Sequence, residues 1–183
     1  MPTETKRAWV TVVGWSPMAA VNTLWQACEQ DIVPTHIYLL GSLEQPQVKR
    51  SLEEVMRYLR AILPEFGVPN PVIETRPIDE DDLVQFFNTL SQVLEDAQRT
   101  CSRVVLDITA GRKYMSAFGL AIGWGTDIRL EHLYYNHLLD RRYENAPHPL
   151  IPRHQQKLHD LMEMLKDDSR AATLRDGAAE PAG

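Results

Sequence analysis

The strongest constraint on this chain is an alternation. Short β-branched, apolar runs take turns with stretches whose apolar residues recur at helical spacing. Residues 8–14 (AWVTVVG), 35–40 (THIYLL), 72–75 (VIET), 103–108 (RVVLDI) and 128–135 (IRLEHLYY) read as strands. Between them lie helical stretches: one opened by Ser16-Pro17, one over 47–63, one from the acidic run 79–82 to about 99, and one over 112–124. Strands separated by helices imply a parallel sheet covered on both faces. Near-continuous apolar strands fit that burial. The expectation is a Rossmann-like α/β fold: a mostly parallel sheet with helices on both faces. Its ligand site should lie at the carboxyl ends of the strands, near the point where strand order reverses.

This pattern assigns 1–153 to one ligand-binding domain. Pro147, Pro149 and Pro152 make 140–152 an extended excursion or hairpin. Leu158, Leu161, Met162 and Leu165 at helical spacing predict a C-terminal helix over 154–168, and the Ala-, Gly- and charge-rich 169–183 reads as a disordered tail.

Composition then excludes several classes. A net charge of −6 argues against a broad electrostatic grip on DNA or RNA, so direct DNA binding is not expected. Any nucleotide must be held by local groups. Cys28 and Cys101 show no metal or CxxC spacing and read as small buried hydrophobes of a reducing compartment. The six histidines form no HExxH pattern, and no metal site is assigned. No apolar run approaches the roughly 18 residues of a membrane span, and the polar 1–7 is unlike a signal peptide. A cytoplasmic protein is the expectation.

Two turns fall at the carboxyl edge. The first is Gly14-Trp15-Ser16-Pro17; the second is Asp107-Ile108-Thr109-Ala110-Gly111-Arg112-Lys113. Both lead into helices, whose unpaired N–H groups and positive ends suit an anion. Gly111 allows a phosphate close to the backbone. Arg112 and Lys113 oppose the helix dipole there, a cost that an anionic ligand would offset. Trp15 is either a partly buried core residue or a stacking platform for a base. Ser16 is an N-cap and a candidate donor to a phosphate or ribose. Asp107 either fixes the turn or accepts from a ribose. Neither GxGxxG nor GxxxxGK[ST] is present, which disfavours dinucleotide and P-loop cofactors; no cofactor is assigned. Arg141, Arg142, Tyr143 and Arg153 flank the proline-rich segment as surface residues, on a loop able to cap a ligand.

The string DITAGRKYMSA, from Asp107 onward, resembles the signature of CARF domains, the CRISPR-associated Rossmann-fold sensors. GWSP after the first strand resembles their second signature loop. Ala110 departs from the pattern, where the family often has glycine. The resemblance implies a homodimer that binds a cyclic oligoadenylate, the second messenger of type III CRISPR complexes, across its twofold axis. A domain of this kind without an effector resembles the ring nucleases. That implies metal-independent cleavage of cyclic tetra-adenylate to linear di-adenylate with 2′,3′-cyclic phosphate ends, with Lys113 and Ser16 as catalytic residues. Gly14, Trp15, Ser16, Pro17, Asp107, Thr109, Ala110, Gly111, Arg112 and Lys113 would form the binding site. The alternative is a non-catalytic sensor, or sequestering module, that signals to a separate effector.

Overall fold

Residues of the first strand alternate between two cores. In the computed structural model, which describes residues 6–125 and 128–164, β1 (Arg7–Val12) turns Ala8, Val10 and Val12 to one face and Trp9 to the other. Around it lie α1 (Pro17–Cys28), β2 (His36–Gly41), α2 (Pro46–Ile62), β3 (Val72–Pro77), α3 (Leu83–Thr100), β4 (Arg103–Asp107), α4 (Lys113–Gly125), β5 (His132–Leu138) and β6 (Gln156–Asp160). The sheet order is β3-β2-β1-β4-β5-β6. The first five strands run parallel and β6 is antiparallel to β5. Helices α1 and α2 cover the Trp9 face, while α3 and α4 cover the Ala8 face. This is the expected Rossmann-like arrangement. The order reverses between β1 and β4, so the two signature turns emerge side by side.

Three elements differ from the sequence expectation. The strand expected over 128–135 is β5, displaced toward 138. Its start is set by pairing, with Val105 opposite His132. Glu131 just before it is held outside the strand by Arg7 (2.7 Å) and Arg103 (2.9 Å). Where a helix is expected from 154, a 3-10 turn at Arg153–Gln155 leads into the strand β6, and α-helical backbone starts only at 161. Long-range contacts decide this: Gln156 accepts from Gln26 Nε2 at 3.0 Å, and Asp160 receives His132 Nδ1 at 2.6 Å and Leu133 N–H at 3.2 Å. Residues 165–168 of that expected helix, and the 169–183 tail, lie outside the described residues. The 140–152 segment, which joins the antiparallel pair β5 and β6, is not extended but contains short 3-10 turns at Arg141–Tyr143 and His148–Leu150. Buried Asn22 of α1 fastens it, donating to Ala146 O at 2.9 Å and accepting from His148 N at 2.8 Å.

Both cysteines are free and buried, and burial pushes the Cys28 thiol up to about 12. No helix among the described residues is long and apolar enough to cross a membrane. Helix α4 is apolar on nearly every side. Ala117, Leu120 and Ala121 face outward at i, i+3 and i+4, and Leu83, Val84 and Phe87 of α3 are exposed as well. The rings of Phe87 and Phe118 join the two helices, 5.5 Å apart.

Candidate functional site

The register of β1 and β4 builds the site. Thr11 lies opposite Asp107, and the two strands end together. Their turns then touch: a Cβ on Gly14 would lie 3.5 Å from the Gly111 nitrogen. Gly111 has φ +98°, and a Cβ there would meet Met115 Sδ and Val12 Cγ1 at 3.0 Å. Glycine is therefore required at 111 by both conformation and space. The left-handed step falls on Gly111, so Ala110 needs none of glycine's freedom.

A cleft of about 470 Å³ opens between the turns. Of the sequence-derived residues, Gly14, Trp15, Ser16, Thr109, Ala110, Gly111 and Arg112 line it. Pro17, Asp107 and Lys113 do not. Pro17 is the first residue of α1, where its missing N–H costs no bond. Lys113 opens α4 and is exposed; among the described residues it makes no side-chain hydrogen bond or ion pair. Neither α1 nor α4 carries an acidic residue in its first turn, so both positive helix ends at this edge lack an intrahelical counter-charge.

Trp15 is 66% exposed, which removes the core reading. Its indole donates to Gln45 Oε1 at 3.4 Å, and Gln45 donates to Glu80 Oε2 at 3.3 Å. The same carboxylate oxygen accepts from Arg112 Nε at 3.1 Å, closing a hydrogen-bonded rim around the cleft. Ser16 stands at the N-cap position, but its hydroxyl makes no capping bond. It donates instead to the Glu144 carbonyl at 3.2 Å, tying α1 to the proline-rich segment.

Arg112 is already committed. Besides Glu80 it pairs with Asp81 at 3.1 Å, so an anion that took its guanidinium would have to displace two carboxylates. Sequence reasoning missed Gln45, Glu80, Asp81 and Glu144 as site residues. The run 79–82 read as the first turn of a helix. In the structure α3 starts at Leu83, Asp82 caps it by accepting from Gln85 N at 2.9 Å, and Glu80 and Asp81 are turned toward Arg112. Arg112's opposition to the helix dipole is thus offset within the chain, and Lys113 is the uncommitted cation of the turn.

Asp107 is 1% exposed and fixes the turn. It accepts from Thr11 Oγ1 at 2.9 Å and from Thr109 N–H at 2.9 Å. Burial pushes its carboxyl up from 3.8 to about 6, against the opposing effect of its Thr109 and Thr11 hydrogen bonds. The sign follows from linkage. Between pH 4 and 6 the folded chain holds a proton that the unfolded chain releases, so stability falls as pH rises. At 1.36 kcal/mol per pH unit the loss is about 3 kcal/mol. Asp107→Asn can still accept from Thr109 N–H through Oδ1 and can donate from Nδ2 to Thr11 Oγ1, without ionising. Its stability relative to the native chain is expected to rise by about 3 kcal/mol from pH 4 to 7 in denaturant titrations. Parallel pH profiles for the two proteins would contradict that assignment.

No family model matches this sequence, and no curated protein matches it. Solved structures do. Csm6 from Enterococcus italicus bound to cyclic hexa-2′-fluoro-hexa-dAMP aligns with a TM-score of 0.61 at 12% identity, covering 92% of this chain and 46% of that one. Protein VC1899 from Vibrio cholerae aligns at 0.50 and 10% identity, covering 75% and 32%. Can2 from Sulfobacillus thermosulfidooxidans in complex with cyclic tetra-adenylate aligns at 0.47 and 17% identity, covering 74% and 32%. The chain spans less than half the length of each. Taken with its sheet order and the two abutting turns, the alignment shows that this chain shares its Rossmann-like fold with Csm6.

Proposed function

We propose that this chain is a CARF domain that binds a cyclic oligoadenylate between two copies of itself and cleaves the ring. The observation that carries the reading is the cleft at the switch point, where two glycine turns and two helix N-termini meet beneath an exposed tryptophan. That arrangement suits phosphates at the backbone and a base at the indole. The Csm6 structure of the same fold holds a cyclic oligonucleotide. The apolar stripe on α3 and α4 supplies a surface for a second copy. A twofold dimer would present each turn twice to a ring of even symmetry.

Cleavage follows from positioning. A ribose 2′-oxygen held in line with its own 3′-phosphate forms the new P–O bond as the bond to the 5′-oxygen breaks, and the 2′-hydroxyl proton ends on that 5′-oxygen. Holding the pair in line supplies much of the rate. Lys113 would stabilise the charge that develops on the phosphoryl oxygens, with Ser16 as a second donor. From tetra-adenylate the products are linear di-adenylates ending in 2′,3′-cyclic phosphate, which would switch off type III CRISPR signalling.

A second reading, sensing without cleavage, is favoured by one observation. The Ser16 hydroxyl already donates to Glu144, and that bond must break before it can serve a phosphate. Labelled cyclic tetra-adenylate incubated with the protein in EDTA separates the readings. Di-adenylate with cyclic phosphate ends is expected. A ring bound tightly yet intact after many hours would leave the sensor. Failure to bind either the tetra- or the hexa-adenylate ring would sink both.

A further inference from the structure

The carboxyl edge carries a second cleft, of about 570 Å³, between α1 and the end of β5. It shares Ser16, Ala19, Thr109 and Glu144 with the first. The Ser16–Glu144 hydrogen bond stands where the two meet. Asn136 of β5 lines this second cleft and is 8% exposed. Its backbone N–H donates to Thr109 Oγ1 at 2.8 Å. Its side-chain Oδ1 is buried and has no hydrogen-bond partner among the described residues. Asn22, on the facing helix and lining the same cleft, uses both of its carboxamide atoms on the proline-rich segment. Of the two asparagines lining this cleft, Asn136 is the one with an unpaired carboxamide oxygen among the described residues. A buried acceptor left unpaired is disfavoured and calls for an explanation.

We infer that this cleft seats an adenine base of the ring, with the Asn136 carboxamide turning so that Oδ1, which has no bond to lose among the described residues, accepts from the 6-amino group. The inference rests on the cyclic oligoadenylate reading above. A planar carboxamide matches the adenine edge, which sets an N–H donor beside a ring-nitrogen acceptor. Tyr135 offers an exposed ring at the same mouth, and Arg141 a cation at its rim. A nucleotide would then place its phosphate at the turns and its base under α1. Asn136 makes the site selective for purines that carry a 6-amino group.

The test uses two rings, cyclic tetra-adenylate and the same ring with nebularine, which lacks the 6-amino group, in place of adenosine. The native protein is expected to bind the nebularine ring ~10- to 100-fold more weakly. Asn136→Leu is expected to bring the two affinities together, chiefly by weakening the adenylate ring. Equal affinity of the native protein for both rings would overturn the inference while leaving the proposed function intact. So would an Asn136→Leu protein, folded by thermal melting, that keeps the native preference. If that variant does not fold, the native protein's two affinities still decide. No binding of the adenylate ring at all would instead remove the function itself.

Discussion

Lys113→Ala is expected to slow cleavage of bound cyclic tetra-adenylate by ~10²–10³-fold in single-turnover assays, the usual cost of losing one group aimed at developing charge. Binding should suffer far less. A single contact between charges in water at about 4 Å is worth about 1 kcal/mol, or some fivefold in affinity. The split arises because the lysine meets more charge in the transition state than in the resting ring. The structure favours Lys113 over Arg112 for this role. Arg112 is held by Glu80 and Asp81, whereas Lys113 has no partner to abandon among the described residues. Equal losses in rate and affinity would make Lys113 a holding residue only. An unchanged rate would remove it from the chemistry.

The second large effect concerns the apolar face of α4. Leu120→Glu is expected to leave a monomer in sedimentation and to weaken ring binding by at least ~100-fold, because two linked half-sites exceed one by 10²–10⁴. Leu120 is 38% exposed and flanked by Ala117 and Ala121 on its own helix, whose Phe118 meets Phe87 of α3. A helix apolar on every side is ordinarily a covered helix. A carboxylate placed at the centre of such a contact would lose its water without gaining a partner. The substitution sits outside the cleft, so folding and the turns should be unaffected. A variant that stays dimeric, or a monomer that binds the ring at native affinity, would refute the twofold site.

Much of this was legible in the sequence because it is local. The runs at 8–14, 35–40 and 103–108 announce buried parallel strands by composition alone, and glycine at 111 marks the one left-handed step of its turn. What escaped depends on partners distant in the chain. Leu158, Leu161 and Met162 have helical spacing, yet Leu158 packs on the Trp9 face and the other two on the Ala8 face. They straddle the sheet instead of lining one helix stripe, and pairing with β5 selects the strand. The Glu80–Arg112 pair spans 32 residues, and the Ser16–Glu144 bond spans 128. Neither leaves a periodic trace. Trp15 was ambiguous for a related reason: its exposure depends on how far the neighbouring loops fold over it.

The shared direction of the parallel strands has a practical consequence. β1 begins at the edge of the sheet opposite the clefts, while the register sets Asp160, at the end of β6, level with Tyr134, Asp107 and Thr11. Arg7 therefore marks the end of the sheet remote from the ligand. A surface linker or fluorescent reporter joined near Arg7 would leave the ligand entrance open to solution. Immobilising the protein through that point while a ring flows past suits this topology, and a signal from a reporter there would have to travel the length of the strands.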